Sequence, residues 1–114
     1  MSSLMLPFTI TLDFREGWLE PCNNYTRRRL SDMRGFYLDE EATEKGIREG
    51  DPVIYEVYQY DVPFENGQLL AVTSVIHPGK VGNEYYMTKG HFHEKENTAE
   101  IYLGLQGQGY ILLE

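Results

Sequence analysis

Apolar and polar positions alternate, or run apolar, in short blocks along most of this chain. Phe8-Thr9-Ile10-Thr11-Leu12-Asp13-Phe14 alternates with a period of two and predicts a strand. Glu16-Gly17 turns it into a short partner, Trp18-Leu19-Glu20. Val53 to Tyr60 is built from β-branched and aromatic residues and predicts a strong strand. Leu69 to Ile76 is apolar on both faces, as expected of a buried strand. A turn at Glu65-Asn66-Gly67 joins the two. Tyr85-Tyr86-Met87, Glu100 to Leu105 and Tyr110 to Leu113 supply three more strands, with Gln106-Gly107-Gln108-Gly109 as a turn between the last two. Pro21 to Tyr25 is polar and loop-like.

Only Asp39 to Arg48 breaks this pattern. Asp39 is placed to cap a helix, and Glu40 and Glu41 lie in its positive first turn. Gly46 weakens it, and Gly50-Asp51-Pro52 stops it. About seven short strands and one early helix predict an all-β barrel or sandwich. Tyr110-Ile111-Leu112-Leu113 opens a strand with no following sequence to pair it, and an unpaired apolar edge invites association. The expectation is one domain over 1–114, incomplete at its C-terminal end.

Composition narrows the class. With 114 residues, 41% hydrophobic and 25% charged, the chain suits a single globular unit. Its formal net charge of −8 opposes nucleic-acid binding, which needs a basic face. A small anion would require a locally positive pocket made by a metal or by basic side chains. Arg27-Arg28-Arg29 is the densest basic run; in so acidic a chain it is read as pairing with the protein's own carboxylates, with attraction of an anionic ligand as the alternative. Cys22 is the lone cysteine, which excludes an intrachain disulfide and suits a reducing compartment. No signal-type segment and no apolar stretch of about 20 residues is present, so a cytoplasmic protein away from membranes is expected.

The chemistry concentrates in Thr88-Lys89-Gly90-His91-Phe92-His93 and in Glu100. On a strand, His91 and His93 share a face with Cα atoms roughly 6–7 Å apart, close enough for one ion. A His-x-His pair alone is more often structural. Gly90, which allows close approach of backbone to a ligand, and Glu100, which a hairpin return can bring alongside, favour a metal site. Two imidazoles and a carboxylate suit a divalent metal ion, with iron first and manganese, nickel or zinc also acceptable. The remaining histidine, His77, is read as a strand-end residue.

These residues resemble those of a known family. Pro78-Gly79-Lys80-Val81-Gly82, Glu84-Tyr85, Thr88-Lys89-Gly90-His91-Phe92-His93, Glu100-Ile101-Tyr102 and Gly107-Gln108-Gly109 closely resemble the cupin-type, metal-dependent glucose-6-phosphate isomerases. The likeness extends upstream through Arg28 to Met33 and Asp51 to Tyr58. It implies a cupin-type, jelly-roll-like β-barrel, a homodimer, and interconversion of glucose 6-phosphate and fructose 6-phosphate by a cis-enediol(ate) route, a step of glycolysis and gluconeogenesis. It implies that His91, His93 and Glu100 hold the metal with a fourth ligand, a histidine, from a later strand. It implies that Ser74, Thr88 and Gly90 hold the phosphate and that Tyr102 lines the pocket. Threonine is commoner in the family where Ser74 stands, and no histidine follows His93 here. Glu100, the carboxylate placed at the reacting carbons, is expected to act as the base. Two other readings share the donor set: a truncated, non-catalytic cupin that binds metal or sugar phosphate, and a non-haem iron dioxygenase-type cupin.

Overall fold

The computed structural model describes residues 6–62, 69–90 and 100–113. Its centre is a three-stranded antiparallel sheet of β3 (Asn24–Arg29), β4 (Val53–Tyr60) and β5 (Ala71–Ile76), in that order. A first hairpin pairs β1 (Thr11–Leu12) with β2 (Leu19–Glu20), and a third small sheet pairs β6 (Lys80–Val81) with β7 (Glu84–Tyr85). The helix α1 spans Glu40–Arg48. The architecture is therefore mostly β with one short helix near the front, consistent with part of a cupin. Among the described residues the three sheets do not close into a barrel. No helix among them is long and apolar enough to cross a membrane.

Local chemistry explains each element. In the first hairpin, the Asp13 carboxylate accepts from the backbone N–H groups of Arg15 and Glu16, both at 2.8 Å, and Gly17 takes the positive φ of 78° that closes the turn. The sequence predicted a longer first strand; only Thr11–Leu12 joins the ladder. At α1, Asp39 accepts from the Ala42 N–H at 2.9 Å, the expected cap. Gly46 has a packing reason: a Cβ there would stand 2.5 Å from Leu30 Cδ2.

The core gathers Leu30, Met33, Tyr37, Ile54, Tyr55 and Val81, with Ala42 and Ile47 of α1 and Val57, Tyr86 and Met87 packed against it. Leu30 and Met33 come from a single 3₁₀ turn, Leu30–Met33, directly after β3. Burying each such side chain contributes on the order of 1.5–3 kcal/mol. Asp51 staples this turn to the start of β4. Its carboxylate accepts from Ser31 N–H at 2.8 Å and Ser31 Oγ at 2.7 Å, and its carbonyl accepts from Arg29 Nη1 at 3.1 Å.

Several expectations need correction. Asn24 and Tyr25 belong to β3 rather than to a loop, because Asn24 to Arg28 pair in register with Gln59 to Tyr55. β5 begins at Ala71, two residues later than its apolar run suggests. Strand geometry near Tyr85 covers Glu84–Tyr85, and Tyr86 and Met87 leave the ladder to pack on the core. Neither Glu100 to Leu105 nor Tyr110 to Leu113 forms a ladder among the described residues, and Ile101, Leu103 and Leu112 are largely exposed. Apolar alternation makes a strand only where a neighbouring strand takes up its N–H and C=O groups. The Glu65-Asn66-Gly67 turn lies outside the described residues.

Candidate active site

The β3–β4–β5 ladder sorts the residues of the candidate site onto its faces. Tyr55 pairs with Arg28 on one side and Ile76 on the other; Val57 pairs with Thr26 and Ser74; Gln59 pairs with Asn24 and Val72. Residues opposite one another in an antiparallel ladder point the same way, so these nine share one face. Ser74 lies exposed on it, between Val72 and Ile76, which are 43% and 49% exposed. Half-exposed apolar side chains thus flank an exposed hydroxyl on this face.

Tyr86 and Met87 anchor the chain that follows β7 on the core, and Thr88 is half-buried directly after them. Next, the Lys89 N–H stands 3.5 Å from the Tyr55 hydroxyl, a long contact that brings Thr88-Lys89-Gly90 over the Ser74 face. Gly90 has a positive φ of 79°, and nothing lies within 4 Å of where a Cβ would stand. The backbone is thus turned and open where a ligand could approach. The Ser74 and Thr88 hydroxyls make no hydrogen bond among the described residues. The structure therefore brings the expected phosphate residues to one side of one sheet.

Glu100 and Tyr102 form a second group. The Tyr102 phenol hydrogen-bonds to the Glu100 carboxylate, and that bond, with some burial, holds it above the usual tyrosine range. Both residues are exposed. His91 and His93 lie outside the described residues. Of the three expected metal donors the structure thus describes Glu100, and an exposed carboxylate oriented by a phenol is a suitable oxygen ligand. The fit to a divalent metal rests on the chemistry of the set: two imidazoles and one carboxylate.

Other polar groups take clear structural roles. On the opposite face of the sheet, Glu56 accepts from the Tyr25 hydroxyl at 2.6 Å and faces His77 Nε2 at 3.3 Å. The Glu56 hydrogen bond pushes the Tyr25 phenol up to about 12. His77 follows the end of β5 and donates its N–H to Ile54 O, in keeping with a strand-end residue.

The basic triplet differs from expectation. Among the described residues none of Arg27, Arg28 and Arg29 forms an ion pair with a carboxylate; the acidic partners are taken by Arg34, Lys45 and His77. Strand alternation sends Arg27 and Arg28 to opposite faces. Sequence reading assigned neither Tyr55 nor Arg28 to the site. The alternation of Val53 to Tyr60 was visible, but the register against Arg28 and Ser74 was not.

Comparison with known proteins gives a consistent result. The family model described as Glucose-6-phosphate isomerase (GPI) matches residues 27–114. A glucose-6-phosphate isomerase of Thermococcus litoralis is 50% identical over 108 residues, covering 95% of this chain and 56% of the relative. That of Pyrococcus furiosus is 44% identical over 108 residues, covering 95% and 57%. A more distant one, from Sinorhizobium medicae, is 37% identical over 116 residues, covering 100% and 54%. The chain spans a little over half the length of these curated relatives.

Proposed function

This chain belongs to the glucose-6-phosphate isomerase family, and on that premise we propose that its protein interconverts glucose 6-phosphate and fructose 6-phosphate. The observation that carries the proposal is the family match over residues 27–114, which includes every candidate site residue. Support comes from two hydroxyls, at Ser74 and Thr88, that have no hydrogen-bond partner among the described residues, and from the turned, open backbone at Gly90. These are suitable donors for a phosphate, whose binding energy positions a sugar for chemistry at its far end.

Aldose–ketose isomerisation moves a hydrogen between C2 and C1 while the adjacent oxygens exchange protons. A base must take the C2 proton to give a cis-enediol(ate), and we assign that role to Glu100. Tyr102, hydrogen-bonded to Glu100, orients the carboxylate and lines the pocket. His91, His93 and Glu100 would hold a divalent metal ion, iron first among iron, manganese, nickel and zinc, which when bound supplies Lewis-acid stabilisation of developing oxyanion charge. The same proposal takes the protein as a cytoplasmic homodimer acting on a sugar phosphate in glycolysis and gluconeogenesis. Support for association is the large exposure of the apolar side chains Ile101, Leu103 and Leu112.

The test is a coupled assay on metal-loaded protein with glucose 6-phosphate and with fructose 6-phosphate. Turnover in both directions is expected. Metal and sugar-phosphate binding without turnover would select the non-catalytic cupin, and iron-dependent oxygen consumption the dioxygenase.

A further inference from the structure

We propose that Arg28 is the cationic side chain that recognises the phosphate of the substrate, on the β3–β4–β5 face shared with Ser74. The inference rests on the isomerase reading and adds a residue to it. A chain of formal net charge −8 must provide a local positive charge to hold a dianionic group. On the isomerase reading a metal would act at the sugar's reacting carbons, so the phosphate end is served by a cation of its own.

The described cations can be taken in turn. Lys80 and Lys89 lie over the rings of Tyr85 and Phe36, at 4.9 and 5.2 Å from the ring centroids. Arg29 donates to the Asp51 carbonyl, and Arg34 pairs with Glu44. Arg27 is opposite Glu56, on the other face of the sheet. Arg28 remains. It pairs with Tyr55 and so belongs to the Ser74 face, where it is the sole cation among the nine ladder residues. The Nε atom of Arg28 is buried and has no hydrogen-bond partner among the described residues. A buried guanidinium N–H with nothing to donate to is costly unless a ligand supplies the acceptor.

The spacing is suitable. Two inter-strand gaps and one two-residue step separate the Arg28 and Ser74 Cα atoms by about 12 Å. An extended arginine reaches about 7 Å from its Cα, which leaves on the order of 5 Å, the separation of two donors that share one phosphate oxygen. The planar fork of a guanidinium matches two phosphate oxygens at once. Tyr55, between Arg28 and Ile76, touches the Lys89 N–H and so brings Thr88 and Gly90 toward the same space. The face also has a polar far end, where the Asn24 and Gln59 amides donate to the Asp61 carboxylate. An anion is therefore accommodated at the Arg28 end.

The experiment compares metal-loaded wild type with Arg28→Gln and Arg28→Lys. It measures kcat and KM for glucose 6-phosphate, and inorganic phosphate affinity by calorimetry. In R28Q, KM should rise roughly 10- to 100-fold with kcat within a few-fold of wild type, and phosphate affinity should fall by a similar factor. R28K keeps the charge without the fork and should recover part of both losses. Unchanged KM and phosphate affinity in R28Q, or in R28K if R28Q does not fold, overturns the assignment. Arg28-dependent phosphate binding by a wild type that turns over no sugar phosphate would overturn the isomerase reading and leave the Arg28 site standing.

Discussion

Replacing Asp51 should loosen the junction that sets β3 against β4, and with it the placement of Arg28. Asp51 has a φ of 46°, a left-handed conformation that aspartate and asparagine tolerate better than other side chains. Its two oxygens accept from Ser31 N–H and Ser31 Oγ at 2.8 and 2.7 Å, both partly buried. Just beyond this point the ladder shifts register: Arg28 pairs with Tyr55 but Arg29 pairs with Val53, so Ile54 is skipped. Each charge-assisted bond is worth about 1–1.5 kcal/mol after allowing for partial exposure. Asp51→Ala removes both bonds and places a less tolerant residue at positive φ, for a loss of about 2–4 kcal/mol. Asp51→Asn keeps one acceptor and the backbone preference, and should lose about 1 kcal/mol. The bond from Ser31 Oγ, with that from Ser31 N–H and the nearby Arg29 charge, holds the Asp51 carboxyl below its usual range. The sign follows: a depressed carboxyl contributes stability that is complete above the unfolded value of about 4 and is lost as pH falls through the lower folded value. Urea unfolding followed by circular dichroism at pH 7 and through the acid range measures both effects. The reasoning fails if D51A lies within 0.5 kcal/mol of wild type, or if D51N keeps the full acid-dependent loss.

Three further outcomes are expected. Gly46→Ala should destabilise the protein by about 1 kcal/mol in urea, because crowding Leu30 costs more than the roughly 1 kcal/mol of helix propensity it gains; a stabilised variant would show that Leu30 moves aside freely. Asp39→Ala removes the acceptor for Ala42 N–H and should cost about 1 kcal/mol, with Asp39→Ser recovering most of it in the same measurement. Glu100→Gln should lower kcat for sugar-phosphate isomerisation by on the order of 10²–10⁴ with the fold unchanged by circular dichroism; near-normal turnover would remove Glu100 from the base role.

The sequence conveyed best what depends on neighbouring residues. Val53 to Tyr60 and the Asp39-capped helix are where the pattern places them, because β-branched runs and capping side chains act within a few residues. Register was hidden, because it depends on which strand lies opposite. Asn24 and Tyr25 look like loop residues until Gln59 and Tyr58 are known to face them. Glu100 to Leu105 alternates like a strand but has no ladder among the described residues. The same distinction runs through the site. Ser74, Thr88, Gly90 and Glu100 could be named from the motif that carries the family resemblance. That the first three converge on one side of a sheet follows from Tyr55, which shares a face with Ser74 and whose hydroxyl meets the Lys89 N–H. Arg28 is the sharpest case. In the sequence it is the middle of a basic run and indistinguishable from its neighbours, whereas the ladder turns it alone toward Ser74. A one-residue slip of β3 would put Arg27 or Arg29 there instead, so the charge that meets the phosphate is selected by strand pairing rather than by the triplet itself.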